Sequence, residues 1–152
     1  MAFPTIDYYL HDREDRKLLP TGQARGTLTM VKSELTLTAA ALVTGAVSRV
    51  LWVPAGFQLW GYAGKMADLD TGAALVWDLG WRAATTAEDD QNGIIAGSTV
   101  GQSAGQLNTE DMAVAAFGYT FLYDSDIVFT CTTQGSASQA GACKFGLIGT
   151  MP

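Results

Sequence analysis

Between Val50 and Trp81 the chain alternates apolar runs with turn signals: Val50 to Val53, Phe57 to Met66 and Ala73 to Leu79, cut by Pro54-Ala55-Gly56 and by Asp68-Leu69-Asp70-Thr71-Gly72. Runs this short, rich in β-branched and aromatic residues, read as strands, because such side chains pack on a pleated surface while Pro, Gly and Asp supply turn geometry. Along Phe57 to Ala63, the residues Phe57, Leu59, Gly61 and Ala63 share one face and Gln58, Trp60 and Tyr62 the other. Both faces carry apolar bulk. That predicts a strand covered by a second sheet on one side and by a subunit, loop or arm on the other. Asp70-Thr71-Gly72 predicts a hairpin into Ala73 to Leu79, with Leu75, Trp77 and Leu79 facing one way and Ala74, Val76 and Asp78 the other.

The same grammar continues on either side. Thr27 to Thr38 alternates in two phases, Leu28 and Met30 and then Leu35 and Leu37, which predicts a bend or bulge at Lys32-Ser33-Glu34. Val47 to Val53, a short element at Ile94 to Ala96, Met112 to Tyr123, Ile127 to Thr133 and Gly141 to Ile148 complete the set. Arg82 to Gln91, Gly97 to Gly105 and Gln134 to Ala140 read as loops. The glycines of Gly97 to Gly105 lack the Lys-Ser or Lys-Thr ending of a phosphate-binding loop. About eight strands and no convincing helix predict an all-β fold, an antiparallel β-sandwich of the jelly-roll kind.

Residues 1–27 do not fit that pattern. Phe3, Ile6, Tyr8, Tyr9 and Leu10 precede a mixed-charge run, His11 to Lys17, and a glycine-containing link. Such a concentration of large apolar side chains in a terminal segment predicts an extended arm that docks on another chain. The expected division is an arm, 1–27, and a sandwich domain, 28–152.

Composition sharpens the picture. At 152 residues the chain suits one domain, and charged residues at 16% fall below the roughly 25% of an average globular protein. With 48% hydrophobic residues, part of the surface is expected to meet protein rather than water. Trp60, Tyr62 and Trp81 are the candidate interface residues of the body. The arm holds four basic and four acidic groups, so the body carries the net charge of −6. An acidic body repels phosphate and argues against nucleic-acid binding. No apolar run is long enough to span a membrane, and the first residues, MAFPTIDYYLHDRED, lack signal-peptide character, so the expectation is synthesis in a cytoplasm and no membrane partner. Cys131 and Cys143 flank a polar loop where they would sit across a hairpin, and they are expected to be reduced, buried thiols.

Catalytic candidates are scarce. The one histidine, His11, lies in the arm, so no nucleophile–histidine pair arises in the body. Asp68, Asp70, Asp78 and the cluster Glu88-Asp89-Asp90 sit at or near predicted turns, where Asp caps the turn; a calcium site is the alternative. The reading is no catalytic residue, no metal and no cofactor. Trp52, Trp60, Trp77 and Trp81 leave open a carbohydrate-stacking platform.

Four phrases, taken together and in order, resemble a known family. They are Val53-Pro-Ala-Gly56, the Asp68 to Gly72 turn followed by Val76-Trp77-Asp78-Leu79-Gly80, Ala96 to Gln102, and Gly118 to Ile127. Over roughly residues 47–150 the chain resembles the capsid decoration, or cement, proteins of tailed bacteriophages. The resemblance implies a jelly roll without catalytic residues, on the outer surface of the virion, bound to the major capsid protein and to itself as a homotrimer. Alternatives are another virion component, such as a head fibre base or tail protein, and a sugar-binding module for host attachment.

Overall fold

The computed structural model describes residues 28–151. Eight strands follow one another along the chain: β1 (Leu28–Leu37), β2 (Val47–Val53), β3 (Gln58–Met66), β4 (Val76–Ala83), β5 (Asp90–Ser98), β6 (Gly105–Leu107), β7 (Ser125–Thr133) and β8 (Gly141–Thr150). They form two antiparallel four-stranded sheets, ordered β1-β8-β3-β6 and β2-β7-β4-β5, the jelly-roll arrangement. Among the described residues the only helical segments are short 3₁₀ turns, and no helix is long and apolar enough to cross a membrane.

The core lies between the sheets. From the first sheet come Leu37, Leu59, Tyr62, Met66, Cys143, Phe145 and Leu147, and from the second Leu79, Trp77, Ile127, Phe129 and Cys131. Trp77 stacks on Phe129 at 5.0 Å between ring centroids. The alternation expected for Leu75, Trp77 and Leu79, for Ile127, Phe129 and Cys131, and for Cys143, Phe145 and Leu147 is the one observed, since all nine are buried.

Several expectations are corrected. The strands flanking Asp68 to Gly72 are not a hairpin: β3 pairs with β8 and β6, and β4 with β7 and β5, so the chain crosses between sheets there. Cys131 and Cys143 likewise lie in different sheets, as two buried free thiols. Apolar runs mark strands but do not choose partners, and only β4 and β5 pair as sequence neighbours.

No bend interrupts β1, which pairs with β8 continuously from Leu28 opposite Thr150 to Leu37 opposite Gly141. Its two phases arise because Leu28 and Met30 point out of the sandwich while Leu35 and Leu37 point in. Met112 to Tyr123 is not a strand but a connection with a short 3₁₀ turn at Val114–Ala116 and one isolated bridge, Gln58 to Thr120. The sixth strand is β6 instead, and β5 begins at Asp90, inside the expected loop.

Candidate interaction surface

The antiparallel winding gathers the connections into two ends. At one end meet β1–β2, β3–β4, β5–β6 and β7–β8; at the other meet β2–β3, β4–β5, β6–β7 and the start of β1.

The first end is closed around Asp70. Its side chain has no exposed surface, and its two carboxylate oxygens accept N–H donors from Gly72, Ala74, Leu75 and, across the end, Ala137, at 2.7 to 3.0 Å. Burial alone would raise its pKa; the four backbone donors outweigh that and hold it at about 2. Gly135 is required beside it, because a Cβ there would come within 2.5 Å of the Asp70 carboxyl carbon. The Leu69 and Asp70 N–H groups also donate to the Gly101 carbonyl, and Gln139 N–H donates to the Leu69 carbonyl, so three connections are laced together. With every oxygen occupied by an N–H, Asp70 has none to offer a cation. Among the described residues no three His, Cys, Asp or Glu side chains converge as metal ligands.

The second end is built differently. The backbone of 118–121 pairs along the start of β3: Gly118 N–H donates to the Leu59 carbonyl, Leu59 N–H to Tyr119, and Phe121 N–H to Phe57. Beneath it, Trp81 stacks on Tyr119 at 4.5 Å and meets Phe121 edge-on at 5.3 Å, and the Trp81 indole N–H donates to the Glu88 carbonyl. Burial, then the negative charges of Glu88 and Asp90, raise the Tyr119 pKa. Gly118, at φ +82°, reverses the backbone so that Phe117 points out while Tyr119 turns in.

Above this aromatic base the surface is apolar. Val114 is 93% exposed, Leu122 64% and Phe117 58%, with Tyr123, Trp52, Leu28 and Met30 also open. Among the described residues, seven of the eight exposed large hydrophobics lie at this end or on the strand stretches entering it; the exception, Val43, sits at the other. Phe117 packs edge-on against Trp60 at 5.5 Å, and the Trp60 indole N–H donates to the Thr150 hydroxyl. Thr150 is also the register partner of Leu28, so this contact links the β6–β7 connection to the first residue of β1. Single exposed apolar residues are ordinary; such a concentration at one end makes it the candidate contact surface.

The interface residues expected in the body fall into two environments. Trp60 is half-buried on the outer face. Tyr62 and Trp81 are buried, 1% and 5% exposed, and offer a partner no surface. For Tyr62 the cause is a β-bulge: Leu59 stands opposite Gly149 and Gly61 opposite Ile148, so Trp60 is the extra residue and the strand changes phase there. Burial, with Cys143 and Asp111 nearby, pushes the Tyr62 pKa well above its ordinary value. Trp81 instead supports the platform from below. Phe3, Ile6, Tyr8, Tyr9 and Leu10 lie outside the described residues.

The four tryptophans form no single platform. Trp77 and Trp81 are in the core, while Trp52, exposed on β2, and Trp60, half-buried on β3, lie in different sheets. The residues that sequence reading misses are Val114, Phe117 and Leu122, hidden in the run Met112 to Tyr123, whose apolar composition predicts a strand. One signal was present: Leu28 and Met30 out of phase with Leu35 and Leu37.

No protein-family model matches the chain, and no curated protein matches it. Solved structures do. The chain is similar to one in the structure described as "Capsid of Ralstonia phage GP4", with TM-score 0.72 and 20% identity over 90% of this chain and 92% of that one. It is also similar to a chain of the "Cyanophage Pam1 capsid asymmetric unit", with TM-score 0.60 and 18% identity over 90% and 99%. A third likeness is to the "Acidic stable capsid structure of Helicobacter pylori bacteriophage KHP30", with TM-score 0.51 and 9% identity over 82% and 91%. At these identities the likeness is one of fold.

Proposed function

We propose that this chain is a structural, non-enzymatic virion protein that decorates a tailed-phage capsid and stabilises it by bridging neighbouring major capsid subunits. The observation carrying the reading is the near-complete mutual coverage with chains of two phage capsid structures. The concentration of exposed apolar residues at one end agrees with it, since a protein that reinforces a shell acts by adding interface area. In the proposed arrangement the chain sits on the outer surface as a homotrimer, which turns several weak contacts into one multivalent attachment. The arm, 1–27, extends that attachment through Phe3, Ile6, Tyr8, Tyr9 and Leu10.

Purified protein is tested first by light scattering, then by mixing with expanded, undecorated heads and imaging them. A trimer that saturates the heads at fixed symmetry positions is the expected result. Protein that never binds heads sinks the proposal. Deletion of residues 2–24 is expected to weaken head binding; an unchanged affinity removes the arm from the attachment.

A further inference from the structure

The two segments bordering the apolar end share a charge pattern. Residues 84–92 hold Glu88, Asp89 and Asp90, and residues 108–124 hold Glu110, Asp111 and Asp124; neither contains a lysine or arginine. Asp89, Asp90, Asp111 and Asp124 each accept a neighbouring backbone N–H, which fixes these carboxylates in place. On the adjoining strands, Arg49 is paired with Asp126 at 2.9 Å, and Arg82 stands opposite the same Asp126 in register. The remaining basic groups of the described residues, Lys32, Lys65 and Lys144, lie on the first sheet beyond Met30, Ala63 and Gly146, towards the other end. Val114 and Phe117 therefore project from an end whose bordering segments hold six carboxylates, set against the exposed Arg82 alone once Arg49 is paired with Asp126.

We infer that the end carrying Val114, Phe117 and Leu122 is the face that docks on the head, and that its partner is a capsid surface with an apolar centre flanked by lysine or arginine side chains. The inference rests on the decoration reading and adds which end makes the contact and with what chemistry. Complementarity decides between occupants. A second copy placing the same end here, as in a two-fold contact, would set its own carboxylates against these, which is strongly unfavourable; a copy presenting another face, as in a trimer, belongs to a body with five basic and eleven acidic groups and brings no net counter-charge. The arm has equal numbers of acidic and basic groups and offers no net counter-charge. A basic-rimmed apolar surface matches both features at once. The apolar centre supplies affinity and the charged rim supplies orientation and encounter rate.

The test measures binding of full-length protein to expanded, undecorated heads. Val114→Ser with Phe117→Ser is expected to weaken binding about tenfold or more, as loss of central apolar contacts does, while the loss of the Phe117–Trp60 contact lowers the melting temperature by only a few degrees and leaves the protein folded. Glu88→Lys with Glu110→Lys replaces two carboxylates whose side chains make no hydrogen bond among the described residues, and is expected to weaken binding and flatten its salt dependence. Wild-type affinity is expected to fall several-fold between about 50 mM and about 500 mM sodium chloride as the rim is screened. Val43→Ser, at the opposite end, is the control and leaves binding unchanged.

Heads that bind wild type and both double variants equally overturn the inference while leaving the decoration reading intact. A Val114/Phe117 variant that changes only the mass of the free protein assigns the surface to a second copy and overturns it also. So does binding that is lost on arm deletion but insensitive to both double variants. Heads that bind no wild-type protein overturn the inference and the decoration reading together.

Discussion

The two ends of the sandwich are made from similar material and finished in opposite ways. Each gathers chain connections, and each hides a group that those connections close over. At the Asp70 end the hidden group is a carboxylate, and backbone N–H groups are drawn inward to satisfy it. The connections around it are rich in small residues, and Val43 is the one large hydrophobic exposed there among the described residues. At the Phe117 end the hidden group is an aromatic base of Trp81, Tyr119 and Phe121, satisfied by packing, so the backbone above it is free to turn Val114, Phe117 and Leu122 outward. A closed end holds the fold together; an open end built on a rigid base presents surface without losing its shape.

Substitutions test that contrast, and the largest effect is expected beneath the open end. Phe121→Ala removes a ring that is 1% exposed and meets Phe57, Trp81 and Tyr119, at a cost of about 3–5 kcal/mol in chemical denaturation. If stability is nearly unchanged, the platform is not a packed unit. Asp70→Ala, which leaves four N–H donors without their acceptor, is expected to lower the melting temperature by on the order of 10 °C with head binding preserved.

The pH dependence has a definite sign. Because the folded-state pKa of Asp70, about 2, lies below the roughly 3.9 of an unfolded aspartate, its contribution is complete above about pH 5 and is lost as pH falls from 4 through 2. The gap in melting temperature between wild type and Asp70→Ala should therefore be constant near neutrality and narrow only in that acid window. A gap that instead closes on raising the pH from 5 to 8 contradicts the assignment.

Smaller effects separate backbone from surface at the open end. Gly118→Ala forces a Cβ into a φ of +82°, a cost of about 1–2 kcal/mol, and should weaken head binding by shifting Phe117. Tyr62→Phe should leave both stability and binding almost unchanged, since its hydroxyl is buried without a partner among the described residues and its ring has no exposed surface to give. A strong binding defect in that variant would return Tyr62 to the interface.

Alternation of large and small, apolar and polar residues determined that residues 28–151 are all-β, and it grouped the core-facing side chains of β7 and β8, with Trp77 and Leu79 of β4, because a pleated strand has a period of two wherever it is regular; Trp81 of the same β4, expected at the surface, is buried. The turn at Asp68 to Gly72 was also legible as a turn. Pairing was not: β3 finds its partner in β8, some eighty residues on, and no local pattern encodes a partner at that distance. Nor was the bulge at Trp60, which inverts the phase of everything after it and moves Tyr62 from the predicted surface into the core. The interaction surface fell in the same gap. Val114, Phe117 and Leu122 look like any buried apolar run until Gly118 and the pairing of 118–121 with β3 settle which side of the backbone each occupies. Sequence determines how much apolar surface must be covered. Only the tertiary structure decides which part remains open, because that depends on contacts between segments far apart in the chain.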